Sequence, residues 1–384
     1  MNRKKHARTY RVAVVGATGL ALTCLGAGGP ASATSGDCDG SLSYRRLDTN
    51  ATASTNTRHL VFADVDGDGT TDIVAANLDA DSVTVLPGEG DGTFSTGSTY
   101  AVGTHPYQTV VADFDGDGHP DLATADFGGA QVSILLNNGD GSFGAATALE
   151  VGEAPRALAA GDLDGDGNAD LVVAEQGPNA VRVLLGNGDG TFDDQGDTAT
   201  GSQPHGIVVA DFDGDGAADV ATASVGSDGV SVLLGEGTGG LGSATGYATA
   251  SRLYSLAHGD FDGDGTTDLA TVSNGSNTLD VLLGEGDGTF ETAAEYTTPS
   301  LPVAVGTADL DGDGTTDVLV SSLKGNSVTL LQGSETGELT QLVELSATGA
   351  YDAAAADLDG DGVRDIAVAN SSAGQVDVFK GACS

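Results

Sequence analysis

Short runs of apolar residues alternate with turns rich in glycine and aspartate along most of the chain. The stretch 107–155 contains four such runs, "YQTVVAD", "DLATAD", "QVSILLN" and "FGAATALEV", which contain many of the β-branched and aromatic residues that favour strands. None of these runs has the length or the period of an amphipathic helix. The pattern therefore predicts four short β-strands, joined by tight turns, within this stretch.

The same arrangement of runs returns at a fixed interval. The acidic segment "DVDGDGTTD" at 64–72 has six further copies, and the first aspartates of the seven copies lie at 64, 113, 162, 211, 260, 309 and 357. A period of this length indicates a repeat architecture, and four strands in each unit are typical of a β-propeller. A linear solenoid is the alternative, but it would need polar caps that neither end of the array carries. We therefore predict an all-β protein, a seven-bladed β-propeller of four-stranded blades.

The two ends of the repeat array complement each other. The last unit stops at "VDVFKGACS", after its third strand, whereas "CDGSLSYRRLD" near the start aligns with the fourth-strand segments of the other units. We expect the N-terminal strand to complete the last blade. In this alignment Cys38 and Cys383 fall at the same position, which predicts a disulfide between them, with two free thiols as the alternative.

The segment before the repeats has the pattern of a secretory signal peptide. A basic stretch over 2–11 precedes an apolar run over 12–27, and small residues follow at 31–33. The sequence thus predicts a signal peptide over 1–33, a single propeller domain over 34–384, and a secreted, extracellular protein. A retained membrane anchor is the alternative, but the apolar run is short and is interrupted by glycines, so we expect no membrane span.

The composition limits the partners. The formal net charge is −42 at pH 7, and this acidity excludes nucleic acid, whose phosphates bind basic surfaces. Strong acidity can also indicate disorder, but 39% of the residues are hydrophobic and lie in ordered runs. We therefore expect a folded protein, and we expect it to be a monomer.

The acidic segments, called Asp loops 1 to 7 below, have the ligand spacing of a calcium loop. Carboxylates at positions 1, 3, 5 and 9 and the backbone carbonyl at position 7 offer oxygen ligands, while two glycines permit the tight turn. Calcium is favoured over magnesium because one flexible loop suits the larger ion, and ligands of this kind disfavour transition metals. Hairpin turns without metal are the alternative. The sequence therefore predicts about seven structural Ca²⁺ ions. The predicted ligands are Asp64, Asp66, Asp68, Thr70 and Asp72; Asp113, Asp115, Asp117, His119 and Asp121; Asp162, Asp164, Asp166, Asn168 and Asp170; Asp211, Asp213, Asp215, Ala217 and Asp219; Asp260, Asp262, Asp264, Thr266 and Asp268; Asp309, Asp311, Asp313, Thr315 and Asp317; and Asp357, Asp359, Asp361, Val363 and Asp365.

The Asp loops, each followed by a strand such as "DLATA", resemble the FG-GAP/VCBS repeat of the integrin α-subunit propeller and of many secreted bacterial proteins. The resemblance covers essentially all of residues 38–383, in seven copies that keep the same phase. It implies a seven-bladed propeller with calcium in the hairpin between the first and second strands of each blade. The functions of the family vary and include cell adhesion, sugar binding, and accessory or catalytic roles in polysaccharide degradation.

The residue six positions before each Asp loop defines a second candidate site. These seven residues, called the mouth ring below, lie at the start of the innermost strands, at the end of the propeller where partners usually bind. Tyrosine can stack on apolar sugar faces, and arginine can pair with carboxylates. The alternative is that these side chains only plug the channel. The mouth ring consists of Arg58, Tyr107, Arg156, His205, Tyr254, Val303 and Tyr351, of which all but Val303 are candidate ligand-binding residues.

Three functions are compatible with this pattern. We expect a non-catalytic binding or adhesion module for extracellular carbohydrate or protein ligands. The first alternative is a carbohydrate-active enzyme, a polysaccharide lyase or hydrolase that would use Arg156, His205 and a tyrosine of the mouth ring, although the sequence shows no catalytic constellation. The second alternative is a purely structural or calcium-sequestering surface protein.

Overall fold

The computed structural model describes residues 42–52, 56–227 and 229–383. These residues form seven four-stranded antiparallel sheets, so the seven-bladed β-propeller predicted from the repeat period is confirmed. A short 3₁₀-helix, Leu78–Ala80, follows the second strand of the first blade. No helix in the described part of the chain has the length and apolar character needed to cross a membrane.

The strands follow one another with the same spacing in every blade. In chain order they are β1 (Leu42–Ala51), β2 (Thr57–Ala63), β3 (Asp72–Asn77), β4 (Ser82–Leu86), β5 (Ser98–Ala101), β6 (Pro106–Ala112), β7 (Asp121–Asp126), β8 (Gln131–Leu135), β9 (Thr147–Glu150), β10 (Pro155–Gly161), β11 (Asp170–Glu175), β12 (Ala180–Gly186), β13 (Phe192–Ala199), β14 (Pro204–Ala210), β15 (Asp219–Ser224), β16 (Val230–Leu233), β17 (Thr245–Tyr247), β18 (Leu253–Gly259), β19 (Asp268–Ser273), β20 (Thr278–Leu282), β21 (Ala294–Thr297), β22 (Pro302–Ala308), β23 (Asp317–Ser322), β24 (Ser327–Gln332), β25 (Thr340–Ser346), β26 (Ala350–Ala356), β27 (Asp365–Asn370) and β28 (Gln375–Cys383).

Blades 1 to 6 each take four consecutive strands, from β2–β5 in blade 1 to β22–β25 in blade 6, and blade 7 combines β26, β27 and β28 with β1. The second strand of every blade is buried along its whole length, because it lies in the middle of its sheet with a neighbouring blade on each face. This explains why these strands read as nearly continuous apolar runs rather than as alternating ones.

Hydrophobic packing joins each blade to the next. Seven clusters of buried residues are present in the described ranges, one for each pair of neighbouring blades. In one of them Val110 of blade 2 packs with Leu158 and Leu171 of blade 3. Full burial of such a side chain stabilises the fold by about 1.5–3 kcal/mol. The closed ring is thus held by contacts repeated around it.

Blade 7 closes the ring through the N-terminal strand, as predicted. Strand β1 pairs antiparallel with β28, from Leu42 opposite Cys383 to Ala51 opposite Gln375. The guanidinium of Arg46 in β1 forms an ion pair with the buried carboxylate of Asp377 in β28. Cys38, the signal peptide and the start of the mature domain lie outside the described residues, so the disulfide to Cys383 and the cleavage after residue 33 stay predictions.

The fourth strands of blades 1, 2, 4 and 5 are shorter than the pattern of blade 2 predicts. In blade 2 the predicted strand begins at Phe143, but only an isolated bridge between Asn137 and Phe143 forms there, and β9 begins at Thr147. Phe143 turns inward and is 7% exposed, packed in the cluster between blades 1 and 2. The chain therefore leaves the ladder after its buried anchor and rejoins it four residues later.

Candidate metal loops and channel mouth

The Asp loops and the mouth ring lie at opposite ends of the propeller. In blade 1 the innermost strand β2 runs from Thr57 to Ala63, so Arg58 stands near its start and Asp64 directly follows its end. The other blades repeat this arrangement, because all innermost strands run in the same direction along the channel. The two candidate sites are therefore separated by the length of a strand.

The first aspartate of each loop organises the turn. In loop 3 the carboxylate of Asp162 accepts hydrogen bonds from the amides of Gly165 and Gly167, at 2.7 and 3.1 Å. Both glycines have φ in the left-handed region, at 78° and 90°, which a residue with a β-carbon adopts only with strain. The two glycines of the motif are thus required by the backbone of the turn.

The ninth aspartate ties the loop to the rest of its blade. Both carboxylate oxygens of Asp170 accept backbone amides, from Leu163 at 2.7 Å and from Gly186 at 2.7 Å. Gly186 ends the third strand β12, so one side chain connects the loop to that strand. The corresponding pair of hydrogen bonds is present in all seven blades.

Burial changes the acidity of these ninth aspartates. Loss of hydration raises the pKa of Asp170 to about 6, although its two backbone hydrogen bonds act in the opposite direction, and the carboxylates of Asp164 and Asp162 raise it further. The pKa rises to about 6 in Asp72, Asp121 and Asp365 and to about 7 in Asp268 and Asp317, for the same reasons. A positive ion beside these groups would oppose the effect.

Three carboxylates of a loop meet closely enough to hold one cation. In loops 1 to 5 an oxygen from each of positions 1, 3 and 9 lies within 4.8 Å of the other two, and in loop 3 these oxygens belong to Asp162, Asp164 and Asp170. The donor atoms are all carboxylate oxygens, which suits a hard cation such as Ca²⁺. The donor set therefore fits the predicted ion.

The fifth position behaves differently from the other three. Asp166 is exposed and does not belong to the close group of loop 3. Its Oδ1 atom instead accepts the amide of Asn168 at 2.8 Å. Three of the four carboxylates predicted as ligands thus lie close together, and the carboxylate at position 5 turns to its own backbone.

At the other end, a β-bulge brings each mouth-ring residue to the channel. The pairing of the innermost strand with the second strand skips one residue in every blade, for example between Pro155 and Ala157, and the skipped residue is the mouth-ring residue, here Arg156. The same skip occurs in the other six blades. A bulge re-aims the side chain of the extra residue. The structure thus brings all seven mouth-ring residues together around one small cavity.

Arg156 forms the centre of the mouth ring. It is 4% exposed, its Nε atom donates to His205 Nε2 at 2.7 Å, and its guanidinium lies over the Tyr107 ring. The hydroxyls of Tyr107, Tyr254 and Tyr351 contact one another beside it. Burial lowers the pKa of Arg156 to about 10, so the guanidinium stays charged at neutral pH.

His205 is fixed in one neutral form. Because an arginine can only donate, His205 Nε2 must accept from Arg156, and Nδ1 therefore carries the proton and donates to the carbonyl oxygen of Tyr254 at 2.6 Å. Burial, followed by the charge of Arg156, holds the pKa of His205 well below its usual range. Neither ring nitrogen is thus available to take a proton from a ligand.

Arg58 lies next to this cluster and is less buried. Its guanidinium carbon is 4.1 Å from the centre of the Tyr351 ring and 5.4 Å from that of Tyr107. Its Nε atom is buried without a hydrogen-bond partner. Within the described ranges, no carboxylate forms an ion pair with Arg58 or Arg156.

The cavity under the mouth ring measures about 60 Å³, room for a few water molecules. His59 and Asp352 also line it, with 3.9 Å between His59 Nε2 and Asp352 Oδ2. Neither residue could be predicted from the sequence, because both follow mouth-ring residues in the strand and no pattern distinguishes them. Each innermost strand thus contributes its bulge residue to the mouth, and every one except that of blade 3 also contributes the residue after it.

Comparison with known proteins agrees with the repeats seen here. A sequence model of the FG-GAP-like repeat matches residues 64–124, 113–173, 162–222, 260–320 and 309–368, which together make up more than half of the chain. Each match begins at an Asp loop and extends into the second strand of the next blade. No curated protein sequence matches the chain.

Several solved structures share the fold. A lectin of Agrocybe aegerita, described as recognising non-reducing terminal N-acetylglucosamine, has a TM-score of 0.56 at 23% identity, with 86% of each chain covered. Virginiamycin B lyase of Staphylococcus aureus has a TM-score of 0.62 at 13% identity, covering 88% of this chain and 99% of its own. BBS1N, in a complex with ARL6DN, has a TM-score of 0.64 at 14% identity, covering 88% and 96%. At these identities the likeness shows the fold alone.

Proposed function

This chain belongs to the FG-GAP-like repeat family, and from that premise we propose that it is a secreted, calcium-binding propeller that acts as a non-catalytic binding module. Its partner is an extracellular glycan or protein that presents an anionic group, such as a carboxylate, to the mouth ring. The calcium ions are structural and lie at the other end of the blades.

The observation that carries this proposal is the pair of cations at the mouth, Arg58 and Arg156, which have no carboxylate partner among the described residues. The chain contains 56 acidic residues and 14 lysines and arginines, so acidic partners for these two were abundantly available. Two unpaired guanidiniums near each other raise the free energy of the empty mouth. An anionic ligand group would lower it through charge-assisted hydrogen bonds.

Arg58 is the side chain best placed to meet a ligand. Its guanidinium is less buried than that of Arg156, and its Nε donor has no partner. Arg156, in contrast, is engaged with His205 and Tyr254 and holds the tyrosines in place. We therefore assign direct contact with the ligand to Arg58 and a positioning role to Arg156.

Calcium in the Asp loops supports the same account. A bound ion supplies positive charge to the carboxylates at positions 1, 3 and 9, and its binding free energy adds to the stability of the fold. The loop residues themselves set the turn: the first aspartate holds the two glycine amides, and the ninth holds the third strand. Extracellular calcium concentrations suit single-loop sites of this kind, which bind with dissociation constants of about 10⁻⁴–10⁻³ M.

Binding is favoured over catalysis at the mouth ring. A carbohydrate-active enzyme would need a proton acceptor there, but both nitrogens of His205 are engaged. Burial also raises the pKa of Tyr351, so its hydroxyl keeps its proton at neutral pH. The alternative of a polysaccharide lyase or hydrolase therefore receives no support from these side chains.

The test is a glycan array probed in millimolar calcium with the wild-type protein, with Arg58→Gln and with Arg45→Gln. Arg45 lies exposed in β1, so its substitution makes the same charge change away from the mouth. We expect binding to acidic glycans that Arg58→Gln weakens by roughly 10- to 100-fold, the loss of one hydrogen bond to a charged group. Failure of the folded wild type to bind acidic glycans would refute a glycan partner, and equal binding by Arg58→Gln would refute direct contact of Arg58 with the ligand.

A further inference from the structure

One position beside the Asp loops changes character between blades. It is the residue before the glycine or asparagine whose amide binds the ninth aspartate, in the last part of the third strand or directly after it. In blades 1 to 5 this residue is apolar, in blade 6 it is an amide, and in blade 7 it is a cation. The seven residues are Pro87, Leu136, Leu185, Leu234, Leu283, Gln332 and Lys380.

In blade 7 the cation points into the loop. The Lys380 ammonium forms an ion pair with the carboxylate of Asp359 and lies 3.1 Å from Oδ2 of Asp361. These are the third and fifth positions of loop 7. The Asp359 side chain is 6% exposed and that of Lys380 is 31% exposed, so the pair is largely shielded from water. The ammonium therefore neutralises carboxylates that a metal ion would otherwise neutralise.

The closing blade can accommodate a lysine here because another residue fills the usual place. In blades 2 to 5 the leucine at this position lies against a glycine in a turn of the next blade, for example Leu136 against Gly190. At the junction of blades 7 and 1 the equivalent Gly92 lies against Leu47, which belongs to β1. The N-terminal strand thus supplies the missing leucine contact, and position 380 is free to hold a charge.

We propose that Lys380 is the resident cation of loop 7, so that the protein binds calcium in six Asp loops and the closing blade is stabilised without an ion. This inference rests on the calcium binding in the proposed function. For a calcium ion to take Asp359 as a ligand in loop 7, the ammonium must leave that carboxylate, and the two cations repel each other while both are present. The carboxylate of Asp359, at position 3, is thus neutralised by Lys380 before any calcium ion binds.

Blade 6 has a similar side-chain contact with position 3 of its loop, but without a positive charge. Gln332 Nε2 donates to Oδ2 of Asp311, the third position of loop 6, at 2.5 Å. An amide has no net charge, and its oxygen is itself a suitable ligand for calcium. Loop 6 therefore remains a site, and loop 7 alone among the described loops contains its own ammonium.

The position of Lys380 in blade 7 matters for closure of the ring. Among the seven described sheets, this blade alone combines the first and the last described strands, since β1 must pair with β28 before the ring closes. Four carboxylates at an unfilled loop would repel one another at that step. Lys380, which itself belongs to β28, lowers this repulsion within the same sheet.

The test counts bound calcium by equilibrium dialysis or calorimetry in the wild type, in Lys380→Leu and in Lys324→Leu. Leucine is the residue that blades 2 to 5 carry, and the exposed Lys324 provides the same charge change away from every Asp loop. We expect six ions for the wild type and for Lys324→Leu, and one more for Lys380→Leu. Lys380→Gln, which copies blade 6, provides a second variant in case leucine impairs folding.

Thermal unfolding supplies an independent readout. In chelator, Lys380→Leu should melt below the wild type, because Asp359 has lost its partner, and calcium should reverse this difference. Equal ion counts in the wild type and both position-380 variants would overturn the inference while leaving calcium binding intact. Absence of calcium binding by the wild type would instead overturn the calcium part of the proposed function, and the inference with it.

Discussion

At the scale of single residues, the aspartates of one loop have different structural tasks although they look alike in the sequence. Asp170, at position 9, is fully buried and holds two backbone amides, so it stabilises the blade with or without metal. Asp164, at position 3, belongs to the close group of carboxylates and accepts only the amide of Asp166, at 3.1 Å. Its contribution should therefore depend on the ion.

Substitution of each of these two aspartates by alanine separates the tasks. Asp164→Ala should lower the melting temperature in calcium and change it little in calcium-free buffer. Asp170→Ala should lower the melting temperature in both, because it leaves two buried amides without acceptors, at about 1–3 kcal/mol each. Calorimetric melting of both variants in each buffer is the measurement. An unchanged melting temperature of Asp164→Ala in calcium would count against a metal at position 3.

The mouth ring shows where residue-level prediction from sequence succeeds and where it ends. The seven residues could be chosen from the sequence because they share one phase of the repeat and two of them are arginines in a chain with few bases. The bulge that orients these side chains could not be predicted, because the skipped residue is a property of the pairing between two strands. The ion pair of Lys380 could not be predicted for a similar reason, since its contact with Asp359 exists only when β28 lies beside loop 7.

At the scale of elements, blade 3 contains a charged network across three strands. Arg182 in β12 contacts the buried Glu175 of β11 at 2.9 Å and the carboxylates of Asp194 and Asp197 of β13 at 2.6 and 2.7 Å. The exposed fraction of the Arg182 side chain is 17%, and that of Glu175 is 0%. The outer strand β13, which is rich in aspartate, is thus held by this cation in addition to its backbone pairing with β12.

Removal of this cation should destabilise blade 3. Arg182→Met leaves a buried carboxylate without its charged partner, which should lower the free energy of unfolding by about 2–4 kcal/mol. The double variant Arg182→Met with Glu175→Gln should recover part of that loss, since it removes the uncompensated charge. Urea unfolding of both variants is the measurement. Equal destabilisation of the single and double variants would show that the ion pair itself matters little.

The elements themselves followed closely from the sequence. The second strands and the innermost strands lie where the apolar runs predict them, because their side chains pack on both sides between blades. The fourth strands of blades 1, 2, 4 and 5 start later than predicted, since Phe143 and its equivalents in these blades form only isolated bridges, whereas in blade 3 the strand begins at the equivalent Phe192. Outer strands make fewer packing contacts, and their pattern therefore constrains their bounds less.

At the scale of the whole molecule, the Asp loops that bind calcium couple calcium, pH and stability. The ninth aspartates have pKa values raised to about 6 or 7 in six of the loops, because burial disfavours their charge. Without calcium, a carboxyl with a higher pKa in the folded state binds its proton more tightly there. The stability that this provides is present below the unfolded pKa of about 4 and is lost as pH rises through the folded values.

The stabilisation that calcium provides should have the opposite pH dependence over the same pH range. Its binding requires ionised carboxylates, so the ion competes with the proton, and its stabilising effect should increase as pH rises from about 5 to about 7.5. Closure by β1 and the interblade clusters should keep unfolding cooperative in both states. Calcium therefore changes the temperature at which the ring unfolds, and not the strand pairing or the interblade packing that hold it together.

The most direct test of the account is thermal unfolding of the purified protein at about pH 5 and about pH 7.5, each with millimolar calcium and after removal of calcium by chelation. We expect calcium to raise the melting temperature strongly at the higher pH and only weakly at the lower, while the calcium-free protein melts lower at the higher pH. Superimposable melting curves with and without calcium at the higher pH would contradict the assignment of the Asp loops as calcium sites.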